Sequence, residues 1–354
     1  MIYLDNSATT RIDDDVLDAM LPWLRNGYGN ASSTYGLGRS ARVAIEDARE
    51  EIASLMNAHP AELIFTSGGT ESNNTILKSC VGESAVARRI YYGATEHHAV
   101  IHPAEELRAS GIETAAIAVG TDGLIPTEHA AALNSPATLV SIMHANNETG
   151  VVQDIAALRG AMPDVLLHTD AVQSFGKIPF DVQRLHVDFA TLSAHKIHGP
   201  KGIGAMFIRK GIDFKAHQQG GGQERNRRAG TEATALIAGF QAAARNAIRR
   251  MEERAAHTRR LCGVLRAELQ QRIPMIRINT PDSDALSLPT ILNVSFTDAT
   301  ALDGESILLM MDMNGVCCSN GSACVSGTMQ PSHVLSAMGR SDAEAKAAVR
   351  FSLS

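Results

Sequence analysis

The chain has 354 residues, a formal net charge of −6 and a hydrophobic content of 44%. This length suits a large domain with a smaller one, and the acidic balance gives no overall reason to expect nucleic-acid binding. The chain does not start with a basic segment followed by an apolar one, and no apolar run reaches the roughly 18 residues that span a bilayer, so we expect a cytoplasmic protein.

Helix and strand patterns alternate through the first two thirds of the chain. Apolar residues at helical spacing predict a helix over residues 39–57, and a second helix is predicted over residues 98–109. Short apolar runs predict strands at residues 62–66, 89–92, 137–143, 165–168, 189–192 and 204–208. This alternation predicts an α/β fold with a largely parallel sheet between layers of helices.

The pattern changes after residue 231. Residues 231–272 form a charged helical stretch without Gly or Pro between Gly239 and Gly263, which predicts a long connecting helix. Residues 273–354 then predict a smaller unit with a strand near 291–296, a helix near 305–313 and a Ser/Gly/Cys-rich segment at 317–329. The last residues, 350–354, have a strand pattern, and we expect that the small unit is truncated there.

Residues 67–71, Ser-Gly-Gly-Thr-Glu, lie between a predicted strand and a predicted helix. Glycines at a helix start let the backbone amides approach an anion, and the helix dipole favours negative charge there. The segment matches neither of the glycine-rich nucleotide loops, so a single phosphate is the natural ligand. A simple capped turn is the alternative.

Several charged or polar residues follow other predicted strands. Lys196 comes after the strand at 189–192, at the edge where open α/β sheets bind ligands, and a lysine there can form a Schiff base with an aldehyde. Asp170 follows the strand at 165–168 and could hold a pyridine nitrogen protonated. His97 could stack on a flat ring, and Asn147 lies in a polar turn. Solvated loop charges, a structural histidine and a turn-forming asparagine are the alternatives.

The five cysteines are an odd number in a long chain, which argues against a disulfide framework. Their spacing does not match a zinc site, so no metal is expected. Cys324 lies in a Gly/Ser-rich segment, where an exposed thiol can ionise and attack, whereas Cys317 and Cys318 are interpreted as structural.

The number of these motifs and their order along the chain make the chain resemble the cysteine desulfurases of the NifS/IscS type. These are class-V aminotransferases of PLP (pyridoxal 5′-phosphate) fold type I. Further matching segments extend the resemblance from residue 2 to residue 354, at residues 3–10, 145–150, 168–173, 199–202, 220–224, 228–231 and 349–353. The resemblance implies a large PLP-binding domain at 13–250 with a mostly parallel seven-stranded sheet. It also implies a small α+β domain at 251–354 with the cysteine loop 317–329, and an N-terminal segment, 1–12, packed on the small domain.

The resemblance further implies the reaction and its residues. L-cysteine would lose its sulfur to Cys324 as a persulfide and leave L-alanine, with Lys196 holding PLP and moving protons and Arg350 binding the substrate carboxylate. The persulfide sulfur would pass to an acceptor such as an iron–sulfur scaffold protein. The implied PLP-binding set is Lys196, Gly69, Thr70, His97 (stacked over the ring), Asn147 (also near substrate), Asp170, Gln173, Ser193, His195 and, from the neighbouring subunit of a homodimer, Thr231.

This chain departs from its relatives at a few positions. Ala194 stands where many relatives have glycine, and Asn320 interrupts the usual Ser-Gly-Ser run. Cys317 and Cys318 stand where relatives often have small residues. Selenocysteine lyase activity stays open, because the same nucleophile and cofactor would serve it. A non-catalytic scaffold descended from such an enzyme is the alternative from another class.

Overall fold

The computed structural model describes residues 1–82, 85–297, 304–321 and 330–354. Within these segments the strands are β1 (Ile2–Tyr3), β2 (Leu63–Thr66), β3 (Arg89–Gly93), β4 (Glu113–Ile117), β5 (Thr138–Ser141), β6 (Leu166–Asp170), β7 (Phe189–Ser193), β8 (Gly204–Ile208), β9 (Ile276–Ile278), β10 (Ile291–Phe296), β11 (Val316–Cys317) and β12 (Ala348–Ser352). The α-helices are α1 (Asp14–Arg25), α2 (Gly36–Leu55), α3 (Gly69–Cys80), α4 (His98–Ala109), α5 (Thr127–Ala131), α6 (Ile155–Ala161), α7 (Thr234–Arg249), α8 (Met251–Arg272), α9 (Gly304–Met313), α10 (His333–Ala337) and α11 (Asp342–Lys346).

The central sheet has seven strands in the order β2-β8-β7-β6-β5-β3-β4. Neighbouring strands from β7 to β4 are parallel, whereas β8 runs antiparallel to both β7 and β2. This arrangement confirms the predicted fold class. The sequence pattern missed β4 because Glu113, Ala115 and Ala116 are exposed at the sheet edge, so the strand has no continuous apolar run.

Helices cover both faces of this sheet. On one face, α2 buries Ala41, Ile45, Ala48 and Ile52, which recur every three or four residues and therefore form one stripe along the helix. On the other face, α3 and α4 pack over alternate residues of the same strands. Because β2 and β5 to β8 are almost entirely buried, the sheet forms a rigid base for the loops at its edges.

The long helical stretch expected at residues 231–272 is instead two helices, α7 and α8, which meet at Arg250. The expectation of one helix was wrong, since no Gly or Pro in the sequence marks the break. The break arises from packing, because α7 lies against α1 and α2 of the seven-stranded layer, whereas α8 lies against β9 and β10. The chain therefore changes direction between two separate cores.

A second, antiparallel sheet has the order β12-β10-β9. Its apolar residues pack with α8 and α9, and the N-terminal strand β1 pairs with β11 beside them. Further along the N-terminal segment, Asn6 and Ser7 hydrogen-bond to Ser352 at the end of β12. None of the helices in the described segments is long and apolar enough to cross a membrane.

Candidate active site

A cavity of about 380 Å³ lies where the carboxyl ends of the parallel strands face the end of β12. Ligands bind at this edge in open α/β sheets. The structure brings ten of the residues singled out in the sequence to its wall: Gly69, Thr70, His97, Asn147, Asp170, Gln173, Ser193, His195, Lys196 and Arg350. Thr231 is exposed and does not line this cavity, and Cys324 lies outside the described residues.

Backbone at the start of α3 closes one end of the cavity. Gly68 precedes the helix with φ +151°, a value that L-residues rarely adopt. A Cβ on Gly69 would lie 2.8 Å from Cγ2 of Val172, and a Cβ on Gly204 would lie 2.7 Å from Cα of Gly68. Glycine is therefore required for this close packing, which leaves the amino end of a 12-residue helix open to the cavity.

Lys196 ends a short 3-10 turn, Ala194–Lys196, directly after β7. Its Nζ donates hydrogen bonds to the carbonyl oxygens of Ser7 (2.5 Å) and Ala8 (2.8 Å). Burial, and secondarily the nearby Arg350 cation, lowers the pKa of the lysine from 10.5 to about 8. A substantial fraction of this amine is therefore neutral and nucleophilic near neutral to mildly basic pH.

Asp170 is a fixed acceptor at the end of β6. One carboxylate oxygen accepts from Asn73 Nδ2 at 2.7 Å, and the other accepts from the backbone N–H of Val172 at 2.9 Å. The side chain is buried yet lines the cavity, so it offers a negative charge to a cationic group bound there. Sequence reasoning missed Asn73, whose only signal is a polar residue on the buried side of α3.

His97 caps the amino end of α4, and its Nδ1 accepts from the backbone N–H of Ala99 at 3.0 Å. Burial lowers the pKa of His97, which outweighs the opposite effect of Asp170. The ring is therefore neutral, and because Nδ1 is an acceptor, the proton belongs to Nε2. A flat, uncharged ring with one N–H is suited to stacking on an aromatic ligand.

Arg350 enters the cavity from β12, opposite the other groups. Its Nη2 donates to Asp5 Oδ1 at 2.6 Å, and its Nη1 donates to the carbonyl oxygen of Asn147 at 2.9 Å. The side chain is 4% exposed, and its Nε makes no hydrogen bond with the described residues. A buried guanidinium with a free N–H is suited to binding a carboxylate.

A polar cluster beside Arg350 was also missed by sequence reasoning. Glu148 is buried and accepts a hydrogen bond from the hydroxyl of Ser332, and burial raises its pKa. A Cβ on Gly321 would lie 3.0 Å from Cγ of Glu148, so the described end of the segment before Cys324 packs directly on this carboxylate. Ser319, Gly321 and His333 all line the cavity.

The residues of the cavity fit PLP on the chemistry of their donors and acceptors. The amino end of α3 suits its phosphate, Asp170 suits its ring nitrogen and His97 suits its ring face. The Lys196 amine suits its aldehyde. The Arg350 guanidinium lines the same cavity and suits an amino-acid carboxylate, so cofactor and substrate have separate groups in one space.

Comparisons with known proteins agree with this description. The model of the "Aminotransferase class-V" family matches residues 2–354. A curated protein named cysteine desulfurase IscS, from Dictyoglomus turgidum, is 42% identical over 356 residues, which cover 99% of this chain and 89% of that protein. A solved NifS-like protein has a TM-score of 0.90 at 38% identity, covering 99% of this chain and 93% of its own. SspA in complex with cysteine has a TM-score of 0.84 at 32% identity, covering 100% and 99%.

Proposed function

Because the chain belongs to the class-V aminotransferase family and is a PLP-dependent cysteine desulfurase within it, we propose that its cavity holds PLP and L-cysteine together and that Cys324 accepts the sulfur. PLP, when bound, withdraws electron density from the Cα of an attached amino acid. The remaining work falls to residues of the chain.

The cofactor would be held from three sides. Lys196 binds the aldehyde carbon, Asp170 holds the ring nitrogen, and His97 covers the ring face. Gln173 and Asn147 would contact the ring hydroxyl. The phosphate-binding set is Gly69, Thr70, Ser193 and His195. The observation that carries this proposal is that the Lys196 amine, the Asp170 carboxylate and the glycine-lined start of α3 all line one cavity.

The substrate would be oriented by Arg350. Its guanidinium lines the cavity from β12, and the Nη protons not used on Asp5 and Asn147 can donate to a carboxylate. With the carboxylate held there, Lys196, which lines the same cavity, would take up and return the Cα proton. The lowered pKa of Lys196 suits this exchange, because a base works best when its pKa lies near the working pH.

The sulfur acceptor would be Cys324. Gly321, the last described residue before it, lines the cavity, and three residues of chain reach at most about 11 Å. The Cys324 thiolate would attack the substrate sulfur and form a persulfide. The carbon–sulfur bond breaks, its electron pair stays on the substrate carbon, and that carbon takes up a proton to give L-alanine. By contrast, burial raises the pKa of Cys318 to about 11 and disfavours its thiolate, so it is a poorer nucleophile.

The persulfide sulfur would then pass to an acceptor protein, such as an iron–sulfur scaffold, in the cytoplasm. We also propose a homodimer in which Thr231 reaches the phosphate bound by the partner subunit. Exposure of Thr231 away from its own cavity supports this assignment.

The test is a visible absorption spectrum of the purified protein before and after L-cysteine is added, with alanine and sulfide quantified. A PLP band that changes with L-cysteine, together with equal amounts of alanine and sulfide under a thiol reductant, supports the proposal. A bound cofactor without alanine would point to another substrate. No band after PLP is added would favour a non-catalytic scaffold.

A further inference from the structure

Lys177 has no part in the proposed reaction, although it lies close enough to Lys196 to be repelled by its charge. It follows Gly176, whose φ is +73° and whose added Cβ would lie 2.7 Å from Cβ of Ala247, so the turn packs tightly on α7. The Lys177 side chain borders a second cavity of about 30 Å³, and Lys196 borders the same cavity. The two half-buried lysines therefore line one small cavity.

The surroundings of Lys177 are cationic. Within the described segments, the charged or titratable side chains around it are His195, Lys196, His198, Arg254, Arg350 and Asp13, and Ser354, the last residue of the chain, borders the same small cavity. Asp13 pairs with His198 and Arg254, and among the described residues no ion pair includes Lys177. Burial, followed by repulsion from Lys196 and Arg350, lowers the pKa of Lys177 to about 7. An ammonium kept in such a place costs stability, which points to a function.

The hydrogen bond that Lys177 makes leads to the main cavity. Its Nζ donates to Oε1 of Gln173 at 2.9 Å, and Nε2 of Gln173 donates to the carbonyl oxygen of Ser7 at 2.9 Å. The same Ser7 oxygen accepts from Nζ of Lys196. The carbonyl oxygen of Ser7 can only accept, which assigns Nε2 of Gln173 to it, and Lys177 in its ammonium form can only donate, which assigns Oε1 to the lysine.

This orientation decides what Gln173 offers to a ligand. One N–H of Nε2 is used on Ser7, and the second remains on a side chain that lines the cavity. With the amide reversed, Oε1 would lie on the side of Ser7 and the cavity and would repel an oxygen anion there. Lys177 therefore stabilises the orientation that presents a donor.

We propose that Lys177 is a positioning residue that acts through Gln173, so that the cavity presents an N–H to the ring oxygen of bound PLP. This inference rests on the proposed function, in which Gln173 lies beside that oxygen. An N–H stabilises the ionised form of the oxygen, so Lys177 tunes the protonation of the bound cofactor without touching it.

The test is a pH titration of the visible spectrum of the PLP-bound protein, which reads the cofactor directly rather than turnover. Lys177→Met should raise the apparent pKa of the bound chromophore by about one unit, because the ionised form loses a donor. Lys177→Arg, which keeps a cationic donor, should titrate close to the wild type. The melting temperature of each variant is measured alongside.

A double variant separates positioning from a plain effect of charge. In a Gln173→Ala background, which should itself raise the apparent pKa, Lys177→Met should add no further shift. A full additional shift in that background would overturn the proposal, because the charge would then act without Gln173. An unchanged titration in Lys177→Met with only a lower melting temperature would overturn it as well. A wild-type protein that binds no PLP would refute the proposed function and this inference together.

Discussion

Replacing Arg350 by Lys should separate substrate binding from cofactor binding. Arg350 supplies one Nη N–H each to Asp5 and Asn147, and its Nε has no hydrogen-bond partner in the part of the chain that the structure describes. A lysine ammonium at this position keeps the charge, but it is held by the same two acceptors and loses the planar fork that binds a carboxylate. The variant should therefore fold and bind PLP, yet bind L-cysteine poorly.

The size of the effect follows from the lost contact. A hydrogen bond to a charged group contributes about 1.5–3 kcal/mol, which corresponds to a roughly ten- to hundredfold increase in KM for L-cysteine. The Kd for PLP should stay within about twofold of the wild type, because Arg350 is assigned to the substrate and not to the cofactor. A twofold change corresponds to well under 1 kcal/mol of binding free energy.

The assay compares two inhibitors that differ in a carboxylate. L-alanine carries one and ethylamine does not, so Arg350→Lys should weaken inhibition by L-alanine while leaving inhibition by ethylamine unchanged. The matched control is Arg277→Lys on β9, the far strand of the same three-stranded sheet, where the side chain is 48% exposed and pairs with Glu344. A folded Arg350→Lys protein with wild-type KM and an unchanged inhibitor ratio would refute the assignment.

Three further outcomes are expected. The rate at which PLP attaches to the PLP-free protein should rise with pH around a midpoint near 8. Only the neutral Lys196 amine reacts, and burial lowers the pKa of this lysine to about 8. A rate that keeps rising past pH 10 would contradict this. Cys324→Ala should keep the PLP spectrum and lose sulfide release, whereas Cys318→Ala should keep both, and full sulfide release by Cys324→Ala would refute the nucleophile. Arg49→Met should lower the free energy of unfolding by about 3–5 kcal/mol in denaturant titrations. The reason is that the buried Glu224 carboxylate loses its two hydrogen bonds from Arg49, at 2.7 and 2.8 Å. A loss below about 1 kcal/mol, which is typical of surface pairs, would contradict this.

Local patterns in the sequence were enough to predict the sheet and the chain position of several site residues. The carboxyl ends of parallel strands meet at one edge, so a lysine after β7 and a carboxylate after β6 had to come close. The turn at Gly68 and Gly69 was recognisable because glycines stand between a strand and a helix. These inferences need only neighbours along the chain.

Contacts between distant segments left no such pattern. The pairing of Arg350 with Asp5 joins residues from opposite ends of the chain, and the bond from Lys196 to Ser7 depends on how the N-terminal segment packs. Asn73 was missed because its partner, Asp170, lies on another element. The break at Arg250 was missed because it reflects a change of packing partner rather than a helix-breaking residue.

The most direct test of the account is mass spectrometry of the PLP-bound protein after one turnover with L-cysteine in the absence of reductant. No Lys or Arg lies between Arg277 and Arg340, so trypsin leaves Cys317, Cys318 and Cys324 in one peptide, and fragmentation must separate them. The account predicts a mass increase of one sulfur atom on Cys324, matched by one alanine released. Alanine release with the sulfur on Cys317 or Cys318, or with no sulfur on the protein, would contradict it.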